Sequence, residues 1–287
     1  MRLGRLLAVG AGVLAARYTL RQTRTSPGGP ALERTNYRGR TVTLAAGPAL
    51  AVGAATGAAL GAGSAPAGAA ALVAGLGAGA VGLYDDVVGA RPEQKAAKGF
   101  AGHLAALREG QVTAGMVKVA GVGVAGLGAA ALLAADRRVA AHPRRRRAGT
   151  FGRGLDVLLG AGVVAGTANL VNLLDLRPGR ALKSGMLLGA PLTTGPYGGV
   201  AAGAVGASAA LVGDDLGERV MVGDSGANAL GALLGVSLAA RTGPLGRAGV
   251  LAVLAALTAA SEKVSFTQVI ARTPGLRHLD ELGRLPD

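Results

Sequence analysis

Charge vanishes from this chain for long stretches, and the stretches set its architecture. Between Arg40 and Asp85 lie forty-four residues without a charged side chain. A helix of about 20 apolar residues fills the hydrocarbon core of a bilayer, so this run predicts two crossings, over 42–62 and 65–84. The same pattern predicts crossings at 3–20, 113–135, 155–174, 184–195, 197–213, 226–241 and 245–261. In the first, the arginines at 5 and 17 must snorkel to the surfaces. Residues 184–213 fit one long tilted helix, but Pro191, Gly195 and Pro196 divide them into two. That division also returns Asp175 and Asp224 to one side. The expected fold is all-α, a polytopic transmembrane helix bundle of about nine spans (eight to ten) over 1–262. A basic cytoplasmic tail follows over 263–287, with an amphipathic segment from Lys263 to Ala271.

Composition agrees. The 287 residues are 50% hydrophobic and 16% charged, with mean hydropathy +0.42, whereas soluble domains carry about 25% charged residues. Fifty glycines permit close helix contact in lipid. There is no cysteine, which excludes disulfides, zinc–thiolate sites and a thiol nucleophile. The three histidines, at 103, 142 and 278, form no ligand pattern. Leu6 to Ala16 is flanked by arginines without a clear small-residue cleavage site, so it reads as a retained helix.

The net charge of +14 first points to nucleic acid. Aromatics are only 2%, however, and the basic residues lie in short segments between apolar runs. Anionic lipid headgroups and topology control account for the charge better. With the acidic ends facing the cytoplasm, inside segments hold eighteen basic residues and outside segments eleven. Seven of the eleven lie in 136–153, including Arg144 to Arg147, which runs against the positive-inside rule.

Acids placed at the ends of apolar runs are costly unless a cation, partner or water compensates them. Asp85 and Asp86 end the longest run, followed by Lys95 and Lys98. Paired carboxylates bind Mg²⁺ through oxygen, or one of them takes a proton from a phosphate nucleophile. The bland alternative is a helix-end cap. In Asn169-Leu170-Val171-Asn172-Leu173-Leu174-Asp175, three polar residues recur at intervals of three and share one helix face. Amides there also serve simply to join membrane helices. In Gly223-Asp224-Ser225-Gly226-Ala227-Asn228 an Asp and a Ser precede a helix, as an N-cap or as an anion or metal site. Three acidic points at three helix ends predict one polar site at one membrane face.

In this order the elements resemble the polyprenyl-phosphate N-acetylhexosamine-1-phosphate transferase family. Its pattern is a DD pair after the third helix, an N-x-x-N-x-x-D-G stretch and a G-D-x-G-S segment. Glu262, Val264, Ser265, Gln268 and Val269 resemble the family's E-x-x-S-V-x-x-Q-V helix end, and Asn36 to Gly39 takes the place of its first cytoplasmic loop. Two features depart from it. Asp175 continues as Leu176-Arg177-Pro178 instead of G-x-D-G-L, and the last loop offers His278 in place of a histidine cluster.

The resemblance implies a multi-pass cell-membrane enzyme of cell-wall or surface polysaccharide synthesis, with its site facing the cytoplasm. It would move a sugar-1-phosphate from a UDP-linked amino sugar to polyprenyl phosphate and release UMP. It implies Mg²⁺ as cofactor, held by Asp224 and Asp86. Asp85, Asp86 and Asp175 form the catalytic set, with the member of the Asp85–Asp86 pair not on the metal, or Asp175, positioning or deprotonating the lipid phosphate. Asn169, Asn172, Lys98, Lys118 and His278 would contact substrate. Anionic lipids are further partners, nucleic acid is not one, and a homodimer is allowed. Two alternatives stay open: a non-catalytic relative that binds polyprenyl phosphate or docks cell-wall assembly partners, and a transporter.

Overall fold

The computed structural model describes residues 2–91, 102, 106–141 and 149–286. It is 78% helical. In chain order it contains α1 (Arg2–Thr25), strands β1 (Glu33–Thr35) and β2 (Thr41–Thr43), α2 (Ala46–Gly61) and α3 (Ala65–Tyr84). After these come α4 (Ala114–Ala134), α5 (Thr150–Leu174), α6 (Arg180–Gly189), α7 (Gly198–Leu216), α8 (Gly223–Arg241) and α9 (Pro244–Ser261). Two short helices close the chain, α10 (Phe266–Arg272) and α11 (Pro274–Glu281). Their starts follow local chemistry. The Ser64 and Thr113 hydroxyls accept the Ala67 and Met116 amides, capping α3 and α4.

Among the described residues six helices are long and apolar enough to cross a membrane: Leu3–Thr25, Ala65–Gly89, Ala114–Ala134, Thr150–Leu174, Gly198–Leu216 and Pro244–Ser261. Three of the nine predicted crossings are not among them. The predicted 42–62 span starts late because Thr41-Val42-Thr43 is β-branched and pairs with β1, antiparallel, with Glu33 opposite Thr43 and Thr35 opposite Thr41. This hairpin also departs from an all-α chain. The predicted 184–195 span is the ten-residue α6 followed by a 3₁₀ turn at Ala190–Thr193. Ten residues rise about 15 Å, half the ~30 Å hydrocarbon thickness. The third, α8, has the length but carries Asp224, Ser225, Asn228 and Arg241.

The core combines buried leucines and valines, such as Leu50, Leu133, Leu230 and Leu233, with alanine and glycine backbones in direct contact. A Cβ on Gly57 would lie 2.6 Å from the Ala8 carbonyl oxygen and 2.8 Å from Gly203 Cα, and one on Gly12 would lie 2.6 Å from the Gly203 carbonyl oxygen. α1, α2 and α7 thus meet along a seam that only small residues allow. α8 is buried along nearly its whole length. The faces of α1, α4 and α9 instead expose Leu3, Leu6, Leu14, Val119, Val124, Leu245 and Val253.

Two sets of contacts define the two ends of the bundle. At one, Asp136 accepts hydrogen bonds from Ser64 and, at 2.7 Å, from Tyr197, while Arg5 donates to Gly195 and Arg241 to Leu192 and Thr194. Between α5 and α9 the fully buried Arg247 bridges Asp156 and the Ala239 carbonyl. The other end carries the hairpin, the acidic residues and the C-terminal helices. Met221 N–H donates to Thr43, tying β2 to the α7–α8 connection. The C-terminal segment, predicted as a separate tail, packs back onto this end. Arg180 is paired with Asp280 at 2.7 Å, Lys183 donates to the Leu279, Asp280 and Leu282 carbonyls, and Arg38 donates to those of Leu285 and Pro286.

Candidate functional site

Asp85 begins a single π turn, Asp85–Gly89, that extends α3. Such turns re-aim side chains and recur at functional sites. Here it directs Asp85 and Asp86 to different partners. Asp86 points at the start of α8, where its two oxygens accept the Asp224 and Ser225 amides at 3.0 and 2.9 Å. It therefore caps α8 from another helix. Ser225 Oγ returns a bond to the Gly79 carbonyl at 2.9 Å, locking α3 to α8. Gly82 makes this approach possible, since a side chain there would meet the Asp224 carbonyl.

Asp85 turns the other way. Its Oδ2 lies 2.6 Å from Lys118 Nζ, and Asp224 Oδ2 lies 2.5 Å from the same nitrogen. Two carboxylate oxygens from α3 and α8 thus converge on one cationic atom from the first turns of α4. Asn228 Nδ2 donates to the Asp224 carbonyl at 2.8 Å, one turn into α8.

Asp175 ends α5, half-buried, at the edge of the same group. Burial pushes its carboxyl well above the ordinary aspartate range, and the nearby charges of Asp215, Asp224 and Asp86 push the same way. The Gly223 amide opposes them. A cavity of about 230 Å³ opens beside it, lined by Asn36, Tyr37, Asp175, Arg177, Asp215 and Glu218, among others. Arg177 lies over the Tyr37 ring, 4.3 Å from its centroid. Glu218 accepts from Asn36 Nδ2 at 2.7 Å and pairs with Arg38 at 3.1 Å.

The structure therefore brings together Asp85, Asp86, Asp224 and Lys118, with Asp175 adjoining. Asn169 is engaged elsewhere, its amide donating to Thr258 Oγ1 at 3.0 Å between α5 and α9. Asn172 Oδ1 is buried and has no hydrogen-bond partner among the described residues. His278 sits exposed on α11. Lys98 lies outside the described residues. Sequence reasoning missed Asp215, Glu218 and Arg34. The signal for the first was present, because Asp214-Asp215 is a second adjacent acid pair ending an apolar run. Asp215 accepts the Gly179 amide at 2.7 Å, and Arg34 donates to the Asp86 carbonyl at 2.6 Å.

Among the described residues no three acidic or histidine side chains are arranged around a single metal position. The donor chemistry nonetheless fits a hard cation. Mg²⁺ is commonly held by one or two carboxylates with substrate phosphates and water completing its shell, and Asp85 and Asp224 present two oxygens to one point. No protein-family model matches the chain, and no curated protein does.

Proposed function

We propose that the chain is a membrane-embedded transferase that moves a sugar-1-phosphate from a UDP-linked amino sugar to polyprenyl phosphate, with its site at the cytoplasmic face. The observation that carries this reading is the meeting of Asp85, Asp86, Asp224 and Lys118, with Asp175 adjoining, at one end of an apolar helical bundle. α2 and α8 would cross within the shelter of the six longer helices, and α6 would enter the bilayer only partway.

In this reaction an oxygen of the lipid phosphate forms a bond to the β-phosphorus, the bond to the α-phosphate oxygen breaks, and UMP leaves. Bound Mg²⁺ would supply charge stabilisation to the diphosphate. Asp224 and Asp85 are its best-placed ligands. Asp86, assigned to the metal from the motif alone, commits both oxygens to the α8 amides and acts by fixing Asp224. Asp175, whose proton affinity is raised by burial and neighbouring acids, would position the lipid phosphate or take its proton as the lipid enters. Lys118 would meet a phosphate oxygen. Asn36, Tyr37 and Arg177 offer the adjoining cavity a polar and aromatic wall for the nucleotide. In membranes carrying the protein, Mg²⁺-dependent exchange of UMP with a UDP-sugar is expected. Asp85→Asn and Asp224→Asn should each lower it by roughly 100-fold or more, the scale of losing one electrostatic contact to a transition state. Undiminished exchange in both variants would overturn the site.

One observation favours the second reading, a non-catalytic relative. Lys118 already satisfies both carboxylates without any added cation. Purification with bound polyprenyl phosphate, and no turnover of any UDP-sugar, would decide for it.

A further inference from the structure

Lys118 is the sole charged residue of α4, whose other twenty positions are apolar or small. A lone ammonium in such a helix is costly unless it has a purpose-built partner. Here it has two. They come from α3 and α8, and they are the two carboxylates best placed to hold a divalent cation. Lys118 Nζ lies within 2.6 Å of both oxygens, so it occupies the space in which a metal ion would sit. An ammonium and a metal ion cannot share that gap. The lysine side chain has four methylene groups and is about one-fifth exposed, so it has somewhere to go.

We propose that Lys118 is a built-in counter-ion that alternates with the divalent cation between Asp85 and Asp224. With no metal it offsets one of the pair's two negative charges and holds α3, α4 and α8 together. When a metal binds it is displaced, and its freed ammonium becomes available to phosphate. The carboxylate pair would thus face a cation in both states, with the lysine delivered to substrate only after the metal has arrived. This inference rests on the proposed metal site and adds an order of events to it.

Mn²⁺, which favours the same oxygen ligands, is the probe. Its binding to the purified full chain in detergent is read from the loss of the free-ion paramagnetic resonance signal. Lys118→Met removes the competing charge and should tighten Mn²⁺ binding by about five-fold, the equivalent of one broken ion pair. Lys118→Arg retains a cation and should not tighten it. In the wild-type protein, which needs no altered folding, Mn²⁺ should also increase acetylation of Lys118 by an amine reagent, read by mass spectrometry. Equal Mn²⁺ affinity in wild type and Lys118→Met, or Lys118 acetylation unchanged while Mn²⁺ binds, overturns the counter-ion role and leaves the metal site standing. Absence of Mn²⁺ binding in every protein overturns both.

Discussion

Single atoms decide how closely the site's helices approach. At Gly82 a Cβ would strike the Asp224 carbonyl and lie 2.7 Å from Ser225 Cα, so even alanine must push α8 away from α3. Gly82→Ala should cost about 1–3 kcal/mol, seen as a lowered unfolding midpoint in detergent. Gly123 is the control, because nothing lies within 4 Å of a Cβ there. Gly123→Ala should be neutral or slightly stabilising, since alanine favours helix more than glycine does. Asp86→Asn keeps one acceptor of two, so one of the Asp224 and Ser225 amides loses its partner. A loss of about 1 kcal/mol is expected, together with weakened Mn²⁺ binding as Asp224 loosens. The acids themselves were legible in the sequence because charge is conspicuous in an oily chain. Their division of labour was not, because adjacent aspartates look alike until a π turn sends one to an amide pair and the other to a lysine.

At the level of elements, sequence and structure agree where apolar runs are long and part where local chemistry intervenes. α3, α4, α5 and α9 fall close to their predicted ranges because each is an apolar run bounded by caps, charge or proline. The β1–β2 hairpin went unseen because Thr41-Val42-Thr43 continues the uncharged run and its period of two is too short to stand out. The shortness of α6 was hidden for a related reason: hydropathy records how apolar a segment is, not whether it remains helical. The docking of α11 was also illegible, since it depends on residues about a hundred positions apart. Burial raises the Asp280 carboxyl, but Arg180 and Arg284 outweigh it and hold it below the ordinary aspartate range. The folded-state value is depressed, so its contribution is fully present above the unfolded value and is lost as pH falls through the folded one. Proteolysis within 263–286 should therefore be slow at neutral pH and speed up in acid below the usual aspartate range. Asp280→Asn should show the acid behaviour already at neutral pH. A cleavage rate unaffected by this substitution would mean that the other contacts hold the segment.

Across the whole molecule, close passage of backbones supplements the packing of buried leucines and valines. Where α2 and α7 cross, a Cβ on Gly203 would collide with Gly57 and Ala58, and one on Gly199 would collide with Gly61. Gly203→Val should part the two helices and lower the unfolding midpoint in detergent by more than Gly82→Ala does, because a branched side chain enters where no Cβ fits. An alanine-rich, glycine-rich sequence foretells such proximity, although it does not say which glycines meet.

The Asp136 cluster at the far end carries a consequence for biogenesis. That acid is only 2% exposed, and two of its partners, Ser64 and Tyr197, stand 72 positions before it and 61 after it. A ribosome that has just delivered the first half of the chain to the bilayer has made a carboxylate whose tyrosine does not yet exist. Ser64 and the Arg138 and Val139 amides can already bond it, but its tyrosine bond forms only after residue 197 emerges, so the early helices gain this tie to α7 late in synthesis.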